Sequence, residues 1–361
     1  MIYLDYQATT PLAPEAREAM IAWLGGPDSE TFANPHSPHR MGRMAAAAVE
    51  VAREQVAQLF PPGGQVIFTG SATEAINLGI RGNAAVRSGE HIAFSAIEHA
   101  AVIDTVKAIG NWTELPVGAD GVIGLDVEMP KNVGLLAVIP VNNEIGTIQP
   151  IAEMAKRAKE TGALLLVDGV QAAGKMALPQ QADMIAVSAH KLHGPKGIGA
   201  LWVRDGLSLI PHVEGGGQEQ GLRSGTLSPA LCAGFGAAAA LAVARREEDA
   251  AHAEDLWQIA RDAFSDWTLN GSAEQRWHGN LNIRKDGLDV ARLMSECREV
   301  MFSAGSACAS GSGRTSHVLR AIGLSDEQAK SSIRLGWGRY TTREDMQRAC
   351  KLIIQVAESQ A

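Results

Sequence analysis

Short, continuously apolar runs recur between about residues 66 and 203, separated by stretches with helical spacing. Val66-Ile67-Phe68-Thr69, His91-Ile92-Ala93-Phe94-Ser95, Leu135-Leu136-Ala137-Val138-Ile139, Leu164-Leu165-Leu166-Val167, Met184-Ile185-Ala186-Val187 and Ala200-Leu201-Trp202-Val203 read as strands. Their apolarity does not alternate, so both faces are buried, as in a mostly parallel sheet sandwiched by helices. Residues 73–87, 100–109 and 151–161 supply the crossovers. The pattern predicts an α/β layer architecture whose ligands lie beyond the carboxyl ends of the strands.

The texture changes after Pro229. An Ala-rich helical region runs to about Phe264, strand candidates follow at 280–283 and 299–302, and helices start from Thr315 and Arg343. This reads as a smaller α+β domain, completed by the strand-like N-terminal segment. The expected division is a large domain at 13–245 and a small one made of 1–12 and 246–361.

Bulk properties narrow the function. A chain of 361 residues, 46% hydrophobic, buries enough surface to fold without disulfides. A net charge of −8 provides no broad basic field, which disfavours nucleic-acid or anionic-membrane partners. Cys232, Cys297, Cys308 and Cys350 lack any zinc-site spacing, so no metal is expected, and reduced thiols point to the cytoplasm. No signal peptide is visible at the N-terminus, and the most apolar helical stretch, 231–244, is shorter than the roughly 20 residues a membrane span needs. The expectation is a soluble protein.

The strand ends carry the candidate chemistry. Lys191 follows a buried strand in Ser188-Ala189-His190-Lys191-Leu192-His193-Gly194-Pro195-Lys196-Gly197. A lysine there, beside small or hydroxylic groups, suits a Schiff base with pyridoxal phosphate (PLP). Gly70-Ser71-Ala72-Thr73-Glu74 opens a helix, where backbone N–H groups favour a phosphate; an ordinary helix cap is the competing explanation. Asp168 ends a buried strand and needs a partner, either a protonated pyridine nitrogen or the next helix. Gln171 and Asn143 are positioned to reach the same ring. His99 could stack on it and move protons, although a lone histidine is more often structural.

Cys308 lies in Ser303-Ala304-Gly305-Ser306-Ala307-Cys308-Ala309-Ser310, a stretch too small and polar to pack a core. An isolated thiol in such a segment is a hazard unless it is used; a tolerated surface cysteine is the alternative. A thiol on a tether can attack sulfur in the site and carry it away.

Taken together and in this order, the motifs resemble cysteine desulfurases of the NifS/IscS-like group, in the class V aminotransferase family of fold-type I PLP enzymes. The resemblance covers nearly the whole length, from Tyr3-Leu4-Asp5-Tyr6 and Asn34-Pro35-His36-Ser37 through Glu98-His99, Gly215-Gly216-Gly217 and Arg223-Ser224-Gly225-Thr226 to Ser331-Ser332-Ile333-Arg334. It implies a mostly parallel seven-stranded sheet between helices, plus a smaller α+β domain. It implies that Lys191 bonds PLP and then moves protons. Ala72, Thr73, Ser188 and His190 would hold the phosphate, with Thr226 reaching the phosphate of a neighbouring subunit in a homodimer. Asp168 and Gln171 would set ring electronics, with Asn143 beside the ring and His99 stacked on it. Asn34 and Arg334 would clamp the substrate carboxylate. Cys308 would take sulfur from L-cysteine as a persulfide, leaving L-alanine, and pass it to an acceptor protein for iron–sulfur assembly or thiolation. No resident metal is implied; Cys308 would be at most a transient iron–sulfur ligand.

Three departures and several rivals stand beside this. The sequence stops at Ala361, without the C-terminal extension by which some members dock a scaffold, and Gln218 and Gln220 stand where histidine and arginine are expected. A selenocysteine lyase would need Lys191 but not Cys308. An ordinary aminotransferase or kynureninase-like lyase leaves the loop thiol unexplained. A non-catalytic docking homologue would be expected to have lost Lys191, Asp168 or Cys308.

Overall fold

The computed structural model describes residues 1–86, 88–305 and 315–360, and the predicted Cys308 lies outside them. The chain begins with a short strand, β1 (Ile2–Tyr3). Seven strands follow in the central sheet: β2 (Gly64–Thr69), β3 (His91–Ser95), β4 (Trp112–Leu115), β5 (Val133–Val138), β6 (Leu164–Asp168), β7 (Met184–Ser188) and β8 (Gly199–Arg204). Five short strands come later: β9 (Thr268–Leu269), β10 (Asn280–Arg284), β11 (Val300–Met301), β12 (Ser303–Ala304) and β13 (Ser332–Gly336).

The central sheet runs in the order β2-β8-β7-β6-β5-β3-β4. Only β8 runs antiparallel to its neighbours. Alternate residues of single strands enter different cores. Leu136, Val138, Leu165, Val167, Ile185 and Val187 join one cluster, which α2 (Arg40–Ala57) and α6 (Pro229–Ala244) cover with Val49, Val56, Phe235 and Ala239. Leu135, Ala137, Leu166, Met184 and Ala186 join another, covered by α3 (Ala72–Val86) and α4 (Ala100–Ile109) with Ile76, Ile80, Val102 and Val106. Burial on both faces is why these strands read as unbroken apolar runs.

The long Ala-rich helical region is two helices rather than one. The first is capped by Ser228, which accepts from the Leu231 N–H, and starts on Pro229. It stops at Arg245 (φ −104°, ψ 9°), where α7 (Arg246–Ala263) begins with Glu247, Glu248 and Asp249 in its first turn, a charge order suited to a helix N-terminus. Beyond it, β10 and β13 pair antiparallel, and β1 pairs parallel with β11. A separate core joins Ile2 and Leu4 to Leu256, Trp257, Leu281, Ile283, Leu335 and Ile353. Among the described residues, no helix is long and apolar enough to cross a membrane.

Candidate active site

The carboxyl ends of β3, β5, β6 and β7 and the start of α3 converge on a cavity of about 290 Å³. Ala72, Thr73, His99, Asn143, Asp168, Gln171, Ser188, His190, Lys191 and Arg334 all line it. Each local turn has a physical reason. Thr69 Oγ1 donates to Ser71 O (2.8 Å), and Ser71 Oγ accepts from the Glu74 N–H (3.2 Å), which starts α3 and leaves its first N–H groups at the cavity. Gly199 on β8 allows this turn to approach closely. A Cβ there would lie 2.6 Å from the Ser71 carbonyl carbon and 2.8 Å from Ala72 N.

His99 caps α4, with Nδ1 accepting from the Ala101 N–H at 3.1 Å. In the neutral ring the proton therefore sits on Nε2. Asp168 is buried at the end of β6 and accepts from the Val170 N–H at 3.1 Å. Burial pushes its carboxyl upward, opposed first by the His99 charge. His190 touches Thr9 Oγ1 through Nδ1 at 3.1 Å, and burial followed by the Lys191 charge lowers its pKa to about 4. It is a neutral hydrogen-bonding group at pH 7. Lys191 Nζ donates to Ala8 O at 2.8 Å and also to Gln7 O.

Arg334 is 1% exposed. Nη1 donates to Asn143 O at 3.0 Å and Nη2 to Asp5 Oδ1 at 2.8 Å, while the buried Nε has no hydrogen-bond partner among the described residues.

Two predicted residues do not line this cavity. Asn34 is exposed, and its Oδ1 accepts from the His36 N–H at 2.8 Å in a local turn; Thr226 is also exposed. Sequence reasoning missed Gln7 and Ala8, whose backbone carbonyls receive Lys191, and no side-chain pattern could have signalled them. It also assigned no role to Glu98, which is fully buried behind the site. Among the described residues, no group of three His, Cys, Asp or Glu could hold a metal ion.

The aminotransferase class-V family matches residues 2–349. The chain belongs to that family. Among curated relatives, cysteine desulfurase IscS of Rickettsia bellii is 40% identical over 372 residues, spanning 98% of this chain and 90% of that one. A solved NifS-like protein superposes with a TM-score of 0.90 at 30% identity, covering 99% of both chains. A structure of SspA in complex with cysteine reaches 0.81 at 33% identity, covering 95% of this chain and 100% of that one. Class-V membership and the mostly parallel seven-stranded sheet agree on a fold-type I architecture.

Proposed function

We propose that the chain is a PLP-dependent cysteine desulfurase that turns L-cysteine into L-alanine and a persulfide on Cys308. The observation that carries this reading is one cavity bounded by the Lys191 amine, a buried Asp168 carboxylate and a buried Arg334 whose Nε has no partner among the described residues. These residues fit PLP. A buried carboxylate favours a cationic ring nitrogen as partner, and a helix N-terminus with a serine and a neutral histidine suits a phosphate. Ala72, Thr73, Ser188 and His190 would hold that phosphate, Asp168 and Gln171 would face the ring edge, and Asn143 and His99 would lie against it. When bound, PLP supplies an electron sink that labilises bonds at the substrate α-carbon.

The remaining work belongs to the chain. Arg334 takes the substrate carboxylate, with Asn34 as the proposed second contact. Lys191, with its amine free, would move a proton at the substrate α-carbon. The Cys308 thiolate attacks the substrate sulfur, an S–S bond forms as the C–S bond breaks, and the carbon fragment is protonated to L-alanine. An acceptor thiol then removes the outer sulfur, for iron–sulfur assembly or thiolation.

The proposed unit is a cytoplasmic homodimer in which Thr226 reaches the partner's phosphate site; its exposure in the single chain supports this. The proposed domains are 13–245 and 1–12 with 246–361, supported by the separate cores and the helix break at Arg245.

The test combines spectra and products. Purified protein given PLP should show a visible band and, after borohydride reduction, carry the cofactor on Lys191. L-Cysteine with a thiol acceptor should yield alanine and sulfide, and Cys308→Ala should lose both products while keeping the band. Full sulfide release by Cys308→Ala would overturn the persulfide route.

A further inference from the structure

Lys175 lies one turn beyond Gln171, where Gly174 carries the chain round at φ +76°. Its Nζ donates to Gln171 Oε1 at 3.1 Å. Gln171 Nε2 donates to Gln7 O, also at 3.1 Å, and that same carbonyl accepts from Lys191 Nζ. The two ends of the amide thus meet an ammonium, which can only donate, and a carbonyl, which can only accept. A flip would oppose donor to donor and acceptor to acceptor. Gln7 O takes one Nε2 hydrogen, and the second remains for the cavity that Gln171 lines.

We propose that Lys175 is a positioning residue, acting through Gln171 to keep an amide N–H turned toward the cavity as a donor to an acceptor oxygen of the bound cofactor. This rests on the reading that the cavity takes PLP. Lys175 touches no reacting atom; its charge polarises the amide and strengthens the donor at the other end.

The surroundings make this charge adjustable. A second cavity of about 40 Å³ separates Lys175 from Lys191, bordered also by Tyr6, His193, Asp249 and Arg339. Burial first, then the Lys191 charge, lowers the Lys175 ammonium to about 7. Its other neighbours are held by burial or by pairing. Burial takes His193 to about 4 and raises Tyr6 from 10, while Arg339 and Asp249 pair at 2.6 Å. Unlike His193 and Tyr6, Lys175 changes charge between about pH 6 and pH 8.

The experiment compares PLP affinity of the apoprotein, by fluorescence titration, and the visible spectrum of the loaded protein from about pH 6 to pH 8. Lys175→Arg is a fixed cation, and Lys175→Met is a neutral chain of similar length. The two should differ by roughly 3- to 10-fold in Kd at every pH, with wild type following the arginine variant at low pH and the methionine variant at high pH. In a Gln171→Leu background, the difference between the two should vanish. Coinciding curves for all three proteins would overturn the proposal, as would a Lys175 effect that persists without Gln171. Wild type that binds no PLP at any pH would instead remove the cofactor reading on which this one stands.

Discussion

Arg334 donates to the carbonyl oxygen of Asn143 at 3.0 Å, tying β13 to the turn that ends β5. With Nη2 on Asp5, the guanidinium is fixed in plane and orientation while Nε stays unpartnered among the described residues. A buried donor in that state is costly unless a ligand completes it, and a carboxylate is the natural partner of a planar fork.

Arg334→Lys should therefore raise KM for L-cysteine about 10- to 100-fold, with a smaller change in kcat, because a point charge cannot reproduce the fork. Asp5→Asn should shift KM in the same direction by only about 2- to 5-fold, since it loosens the fork without removing it. Steady-state kinetics at saturating PLP separate KM from kcat. Unchanged KM in Arg334→Lys would place the carboxylate elsewhere.

Glu98 gives a pH prediction. Its Oε1 accepts from the Ile139 N–H at 2.6 Å, its Oε2 has no partner among the described residues, and burial followed by the Asp168 charge pushes its carboxyl well above the ordinary range. Between the unfolded value, about 4.3, and the raised folded value, the folded chain keeps a proton that the unfolded chain releases. Stability therefore falls as pH rises through that window. Glu98→Gln mimics the protonated form, so the apoprotein Tm should decline less from about pH 5 to pH 8, by roughly 2 °C at the upper end. Equal slopes in wild type and variant would count against it.

At Gly199 an added methyl would strike backbone on three sides, the Ser71 carbonyl carbon, Val187 O and Ala72 N, all within 2.8 Å. Gly199→Ala should push the Ser71–Ala72 turn off the sheet and weaken PLP binding at least about tenfold, while lowering Tm. Gly26→Ala, with nothing within 4 Å of its new Cβ among the described residues, is the control and should leave both values unchanged. Equal PLP affinity in both variants would mean that the turn does not hold the phosphate.

The thiols should divide by environment. Cys232, Cys297 and Cys350 are buried; burial raises all three, with Cys232 and Cys350 pushed up to about 12. Near neutral pH they are hidden, protonated and unreactive. Brief alkylation of the native protein, read by peptide mass spectrometry, should label Cys308 alone, whereas denatured protein should label all four cysteines. Labelling of a buried cysteine ahead of Cys308 would speak against Cys308 as the nucleophile.

Legibility in the sequence followed burial. The six strands packed on both faces stood out as apolar runs, but β4 did not. It lies at the sheet edge, with Trp112 39% exposed and polar residues interleaved. The break at Arg245 was hidden because helical spacing continues across it. Asp168, Lys191 and Asn143 were legible because each marks the end of a strand. Lys175 was not, since its link to the cavity runs through another side chain, and Gln7 and Ala8 act through carbonyls that every residue carries. Asn34 and Thr226 came from resemblance, and they lie away from the single chain's cavity.

Asp5 and Arg334 meet across 329 positions of sequence, and this separation has a consequence for biosynthesis. The central sheet is fully synthesised once Arg204 has emerged, and domains fold in that order during translation. The carboxylate fork has to await β13. On the proposed reading, the amino-acid clamp is the last part of the site to form, and sulfur chemistry is withheld until the first and the late segments have closed on each other.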